Sequence, residues 1–572
     1  MKKNKPILLF LLVFVLLATP ALVHGIDLPG LESLGGKSPL QNLLSQSVVV
    51  IDGYTLKTDE LRRFYALRND KPVWDTSPGV SRDSLKSFLS SVTAFEKYHG
   101  LVEDNYPAQQ LAKLIESKDE ADSVKIELLI TAWLLRLAHD MHGDNVKLEH
   151  LYVGWTFKRL PADITGAMAK AVEDSRVYDF ISDLAPVQPD YLYLARALKK
   201  YREMAEKSPW PTVDEGPTIR PGESDPRVAQ IRARLAAENY LESSEAAGNA
   251  KLYDETLKSA VENYQGRNGL LPDGDIGAKT VQAMNVPLKN RIEQIMANME
   301  RWRHMPEAQA SRRIEVNIAS AMAEVLEDGK ILYKGPVIVG RRDRKTPFIQ
   351  SAVRSVIFNP AWYVPAKIAR HDILPKLRKD PYYLEKMGFV INGSADDPHG
   401  AAIDWDSVEA SEFNFRLRQS PGDLNSLGRL KFDFDNNFAV YMHGTPHNEL
   451  FEKAERNLSS GCVRLKDPDQ FAVVVLGKNE GDWTLEKVQA EVEKGRTHWL
   501  KISEPIPVAF NYWTAFPPGD EGPLNFRRDV YNYDAFLIEV LNKGGVEDSP
   551  YTKKNSVNPL IAKDNSQEST VF

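Results

Sequence analysis

The chain contains a single cysteine in 572 residues, Cys462. An intramolecular disulfide is therefore excluded, and that thiol is either a buried spare or a reactive group. An excess of basic charge is also missing. The net charge is −7, the pI is near 6.0 and the cations are scattered. That argues against nucleic acid, which needs a concentrated cationic surface. After the first 25 residues there is no run apolar enough to span a bilayer. At 42% hydrophobic and 26% charged residues the rest is ordinary globular material. It is long enough for roughly three or four domains, at ~100–200 residues each, and can bury a core without disulfides.

The start of the chain reads as an export signal. Lys2, Lys3 and Lys5 precede the apolar run Ile7 to Leu17, and Val23 and Gly25 bracket a cut that would leave Ile26 first. An uncleaved anchor is the alternative, and only then is the membrane a partner. Both readings place the remaining chain outside the cytoplasm.

Residues 26–50 read as a flexible leader and 51–207 as a helical scaffold, with helices near 58–67, 82–93, 105–116 and 188–206. Apolar residues nearly encircle the segment from Ile126 to Leu137, which predicts a central helix. His139, Asp140 and His142 fit a capped, partly buried helix end. Prolines 209, 211, 217 and 221 make 208–224 a semi-rigid linker. Asp225-Pro226 then predicts a helix start, with Asp225 as N-cap. Val228, Ile231 and Leu235 share one face of that helix. Leu257, Val261 and Tyr264 do so on a second, capped by Asp254. A turn from Gly269 to Gly277 leads to a third through Thr280, Val281 and Met284. With Tyr264, Gln265, Asp273 and Gly274, this region (225–287) resembles the three-helix peptidoglycan-binding module of cell-wall enzymes. The motif residues read as builders of the module, not as sugar contacts.

Residues 288–309 read as a connecting helix, after which the period changes. Ile314, Val316 and Ile318 alternate with polar residues, and Asp328-Gly329 is a hairpin signal. Further strands are expected at 331–333, 337–339, 353–358, 499–502 and 508–513. A mostly β domain thus spans 310–545, interrupted at about 366–430 by an inserted helical and loop segment that caps it. Residues 546–572 are polar and read as a disordered tail. The fold class is multi-domain α+β.

Thiol chemistry needs a base or a positive field. His443 closes the apolar run Phe438 to Met442, so a strand end would present its imidazole, and the Gly444 carbonyl would hold its second nitrogen. Cys462 follows 19 residues later, within Ser459-Ser460-Gly461-Cys462-Val463-Arg464. Backbone N–H groups of Gly461 and Cys462 would serve an oxyanion. The spacing of His443 and His447 also raises a zinc hydrolase, but Gly444-Thr445-Pro446 interrupts any helix and no glutamate follows His443.

His443-Gly444-Thr445 followed by Ser459 to Arg464 resembles the signature of the L,D-transpeptidases, β-sheet cysteine enzymes of peptidoglycan. The segments Asn359 to Pro365, Phe510 to Phe516 and Phe526 to Tyr531 are similar to parts of the large Gram-negative members. The resemblance implies Cys462 as nucleophile, His443 as base, Gly444 and Ser459 as ordering groups and Gly461 as an oxyanion donor. It implies Arg464, Ser460, Tyr441 and Trp362 on the substrate side. Many members carry histidine where Ser460 stands. The implied reaction is a thioester at Cys462 resolved by a side-chain amine, giving 3–3 crosslinks between diamino acids. No metal or organic cofactor is implied. Implied partners are stem peptides, glycan strands and other cell-wall enzymes, with no nucleic acid. A periplasmic location and carbapenem acylation of Cys462 follow from the same resemblance. An L,D-carboxypeptidase, a hydrolase releasing wall-attached protein, and a non-catalytic wall-binding scaffold are the alternatives.

Overall fold

The computed structural model describes residues 37–74, 83–117, 119, 121–157, 159–207, 210–242, 249–306, 309–477, 481–520 and 522–545. The export segment and the 546–572 tail lie outside the described residues. The fold is α+β, with helices first and a mostly β domain later.

The helical region is organised around Ala121–His142, whose residues from Ile126 to Ala138 are all buried. Glu127 lies in that core and accepts from the Val73 and Trp74 amides and the Tyr65 hydroxyl at 2.7–2.9 Å. Its carboxylate thus holds an extended segment that has no secondary-structure partner of its own. The leader expected at 26–50 is ordered in its second half. Helix Pro39–Leu44 carries a capping box between Ser38 and Gln41, and Val48–Ile51 pairs with Tyr54–Lys57. Asp52 and Gly53 turn that hairpin with φ of 46° and 82°. Leu40, Leu44, Val49 and Ile51 join the helical core, and that burial is what orders them.

The scaffold expected at 51–207 does not end as one unit. Helix Pro189–Lys207 buries Tyr191, Leu194, Leu198 and Tyr201 in the same core as the β domain. The helix expected merely to connect, Leu288–Arg303, lies beside it and is buried along most of its length. Asn298 exchanges hydrogen bonds with Thr514 at 2.7 and 3.0 Å, and Arg301 pairs with Asp534 at 2.5 Å. It is therefore a strut under the β domain.

The linker expected at 208–224 is only partly a linker. Val213 and Ile219 are buried in the three-helix module, and Ile219 exchanges backbone hydrogen bonds with Ile276. Apolar side chains between the prolines pull the strand into the core. The helix start expected at Asp225-Pro226 is displaced to Val228. Both Asp225 oxygens are taken by the guanidinium and amide of Arg227 at 2.8–2.9 Å, so no cap remains. Asp254 does cap Glu255–Arg267. Gln265 bonds Asp273, Gly274, Asp275 and Thr280 around the glycine turn, and all of these contacts are internal to the module.

In the β domain the strands close a circuit. Lys330–Gly340 pairs with Val463–Leu465, and then follow Met442–His443, Leu430–Phe434, Ile349–Phe358, His498–Asn511, Arg312–Asn317 and Met322–Glu327, which returns to Lys330–Gly340. Asn457–Ser459 adds at the far end of that last strand. Asp328 and Gly329, with φ of 50° and 77°, turn the hairpin within it. Val316, Val337, Val356, Phe432, Met442, Val463 and Val508 face inward and are fully buried or nearly so. Between Phe358 and Leu430 the chain leaves to build a cap. Its own core includes Leu374, Leu377, Phe389, Trp405 and Leu417. The cap starts earlier than the expected 366, because Trp362–Tyr363 pairs with Leu417–Gln419.

Candidate active site

The strand run expected at 438–442 is cut to Met442–His443. Ala439 is left-handed at φ 52°, and the Asn436 amide bonds Phe434, Phe438 and Val440 around it. The chain therefore turns sharply before entering the circuit. Met442–His443 pairs in parallel with the strand that Cys462 precedes, Met442 opposite Val463 and His443 opposite Arg464. The Val463 amide donates to the Tyr441 carbonyl at 3.1 Å. Parallel pairing needs a crossover, and residues 444–461 supply it. Because Met442 and Val463 face the core, alternation turns Tyr441, His443, Cys462 and Arg464 to the opposite face. Lys431, opposite His443 on the next strand, joins them.

His443 is buried, and its Nδ1 lies 2.5 Å from the Gly444 carbonyl. A carbonyl only accepts, so Nδ1 carries the proton and Nε2 keeps the lone pair. Burial, then Arg464 and Lys431, push the imidazole down to about 3 against the pull of the Gly444 and Leu427 carbonyls. Cys462 is half-buried. Burial raises its thiol, while the Tyr441 backbone, Arg464 and Lys431 oppose the rise. The resting pair is thus a neutral thiol and a neutral imidazole. The two cations disfavour imidazolium but favour negative charge at sulfur and at any oxyanion formed beside it.

Ser459 orders the turn. Its buried hydroxyl donates to the Cys462 carbonyl at 2.6 Å and accepts from the Gly461 amide at 3.1 Å. This corrects the expectation for Gly461, whose N–H is already engaged. Gly461 is instead required for its φ of 117°. Its carbonyl accepts from the Thr346 hydroxyl at 2.8 Å, and that hydroxyl in turn accepts from the Gly340 amide at 2.8 Å.

Ser460 accepts from Arg344 at 2.9 Å, and Arg344 pairs with Asp372 of the cap at 2.5 and 3.0 Å. The Ser460 hydroxyl therefore ties the nucleophile turn to the cap. Trp362 reaches from the cap to the Tyr441 side chain. Lys431 stands 4.2 Å from the Tyr441 ring centroid and pairs with Asp433 at 2.8 Å. Arg464 is half-buried, and among the described residues it forms no ion pair. His447 is exposed beside Glu449 at 3.3 Å. Arg344, Asp372, Thr346 and Lys431 carry no local sequence signal; only the register and the cap's docking bring them here.

Residues 311–492 match the model of the L,D-transpeptidase catalytic domain. Residues 59–198 match a scaffold domain, and 224–284 a "Putative peptidoglycan binding domain". A relative from Haemophilus influenzae, "Putative L,D-transpeptidase", is 33% identical over 315 residues, covering 53% of this chain. The chain spans 62% of that relative's length. The L,D-transpeptidase structure from Xylanimonas cellulosilytica is 14% identical, with 52% of this chain and 98% of that one covered and a TM-score of 0.18. For that from Stackebrandtia nassauensis the figures are 14%, 54%, 99% and 0.21.

Proposed function

We propose that this chain, which carries an L,D-transpeptidase catalytic domain beside a peptidoglycan-binding domain, forms 3–3 crosslinks in peptidoglycan through a thioester at Cys462, working in the periplasm. The observation that carries the reading is the single face shared by Cys462, a His443 whose Nδ1 is held by the Gly444 carbonyl, and an Arg464 without an ion-pair partner among the described residues.

In this mechanism Nε2 of His443 takes the thiol proton as Sγ attacks the carbonyl of the third stem residue. The tetrahedral oxyanion is stabilised by the Cys462 amide and by the field of Arg464 and Lys431. The imidazolium, destabilised by those same cations, returns its proton to the departing D-Ala amine, and the C–N bond breaks. A thioester remains. The side-chain amine of a second stem then attacks it, losing a proton to His443, which passes it to the departing sulfur as the C–S bond breaks and so restores the neutral thiol. Arg464 is suited to a stem carboxylate, and Trp362 with Tyr441 forms the wall between the cap and the catalytic face. Gly444 and Ser459 fix the base and the nucleophile.

The test is incubation with tetrapeptide muropeptides and mass spectrometry of the products. Crosslinked dimers, absent with Cys462→Ser, are the expected result. Tripeptide and free D-Ala without dimers would assign an L,D-carboxypeptidase on the same scaffold. Sacculus binding without turnover or thiol labelling would assign a non-catalytic binder. A carbapenem is expected to add its mass to Cys462.

A further inference from the structure

An open cleft of about 1290 Å³ separates the peptidoglycan-binding module from the β domain. The module contributes its glycine turn (266–272) and Lys279. The strut contributes Arg291, and the opposite wall is formed by residues 451–457 and the C-terminal segment from Phe526. Residues 451–457 lead directly into the Asn457–Ser459 strand that orders Cys462.

Acidic and basic side chains both line this cleft. Glu455 pairs with Arg528 within it, whereas Asp534 is taken by Arg301 and Glu539 by Lys543, which lie outside the lining. Glu452 pairs with Lys466 and Glu293 with Lys289, while Asp529 accepts from Tyr512 and three backbone amides. The arginines are held differently. Arg456 donates to the carbonyls of Val337, Lys453, Ser320 and Ala321. Arg527 donates to the carbonyls of Arg267 and Phe526 and lies over the Phe516 ring. Arg291 bonds Gln294, Asn268 and the Ala283 carbonyl, lies over Phe526 and leaves its Nε unpartnered. Among the described residues none of the three forms an ion pair. Neutral acceptors fix each guanidinium in place but leave its charge uncompensated. Burial and the proximity of Arg456 push Arg527 down to about 10, as mutual repulsion requires.

We propose that this cleft is a second binding site, which takes a carboxylate-bearing segment of the peptidoglycan held by the module, with Arg291, Arg456 and Arg527 as its anion-reading groups. The proposal rests on peptidoglycan being the substrate polymer, but not on the reaction at Cys462. A fixed array of guanidiniums suits carboxylates along an extended peptide. Occupancy would hold the polymer on the segment that runs into the nucleophile turn.

The test uses the full chain with Cys462 capped by a bulky maleimide, which fills the catalytic face whatever its chemistry. Muramidase fragments of sacculi are titrated in two forms, with stem carboxylates free or converted to methylamides. Free-carboxylate fragments are expected to bind at least tenfold more tightly. Arg456→Gln with Arg527→Gln should abolish that difference, and lysine at both positions should restore part of it. Lys279→Glu, on an exposed helix position of the module wall, should weaken binding severalfold without touching a buried group. Equal binding of the two forms, competition by inorganic phosphate at matching concentration, or an unchanged affinity in Lys279→Glu would each overturn the proposal. Because the thiol is blocked, these results are independent of whether dimers form in the muropeptide assay.

Discussion

Replacing Ser459 with alanine removes the hydroxyl that spans the nucleophile turn. Ser459 is 2% exposed, and its hydroxyl serves the Gly461 amide and the Cys462 carbonyl at once. The substitution leaves one donor and one acceptor with no partner in a place water hardly reaches. Each such group costs about 1–3 kcal/mol, so a loss of about 2–6 kcal/mol is expected from the two. For a domain of this size, at about 2–4 °C per kcal/mol, that lowers Tm by at least about 4 °C. The chemical penalty is larger. Gly461 stands at φ 117° and the turn loses its internal tie, so the sulfur drifts, and a displacement of about 1 Å costs roughly 100-fold. Stopped-flow acylation by a carbapenem, with calorimetry on the same sample, reads both effects. Acylation within twofold of the parent with no fall in Tm would refute the reasoning and assign the turn's order to Thr346 alone. Faster acylation would refute it differently, by showing that the released Gly461 amide serves the oxyanion better than it serves Ser459.

His443→Gln removes the imidazole proposed to take the thiol proton, and acylation should fall by about 10²–10⁴; a loss below tenfold would reassign the base. Because the Cys462 thiol is raised and His443 is neutral down to about 3, iodoacetamide labelling of the free enzyme should climb with pH past the ordinary thiol value. A labelling midpoint near pH 6 would mean a resting thiolate–imidazolium pair. Asp372→Asn should loosen the cap by about 1–2 kcal/mol through Arg344, speeding amide exchange over 366–379; exchange matching the parent would show that the cap docks without this pair. Glu96 is buried against the Trp133 indole and pushed up to about 8. Its proton is bound more tightly in the folded state, so stability should fall as pH rises from about 5 to 8 and then level. Glu96→Gln should flatten that slope in calorimetry, and an unaltered slope would discount the group.

The legible parts of this molecule are those carried by local pattern. The central helix announced itself by apolar residues on every side, the Asp328-Gly329 hairpin by its turn, and Asp254 by its place before a periodic run. Asp52-Gly53 after an apolar run was the same kind of signal, and it marks a hairpin where a leader was expected. Asp225-Pro226 misled because the carboxylate closes on the guanidinium and amide of Arg227 and the helix starts only at Val228. The proline run misled because Val213 and Ile219, between prolines, are drawn into a core that spacing does not reveal. At the site, the histidine and cysteine segments stood out, but Arg344 and Asp372 meet Ser460 only because a cap built from the 362–427 stretch folds back across the circuit.

The sequence by itself determined which groups are available: one thiol, a histidine, His443, ahead of it with a glycine whose carbonyl can fix its tautomer, a glycine able to turn before the cysteine, and an arginine after it. These depend on residue chemistry and on spacing of a few positions, which the chain states directly. Only the tertiary structure decided their relation. Parallel pairing of two very short strands puts His443, Cys462 and Arg464 on one face, and that register is set by Met442 and Val463 entering a core built from distant strands. The lowered imidazole and the arginines of the cleft owe their state to burial and to neighbours on other strands and segments, and the engaged amide of Gly461 to the turn that Ser459 closes, none of which residue spacing alone displays.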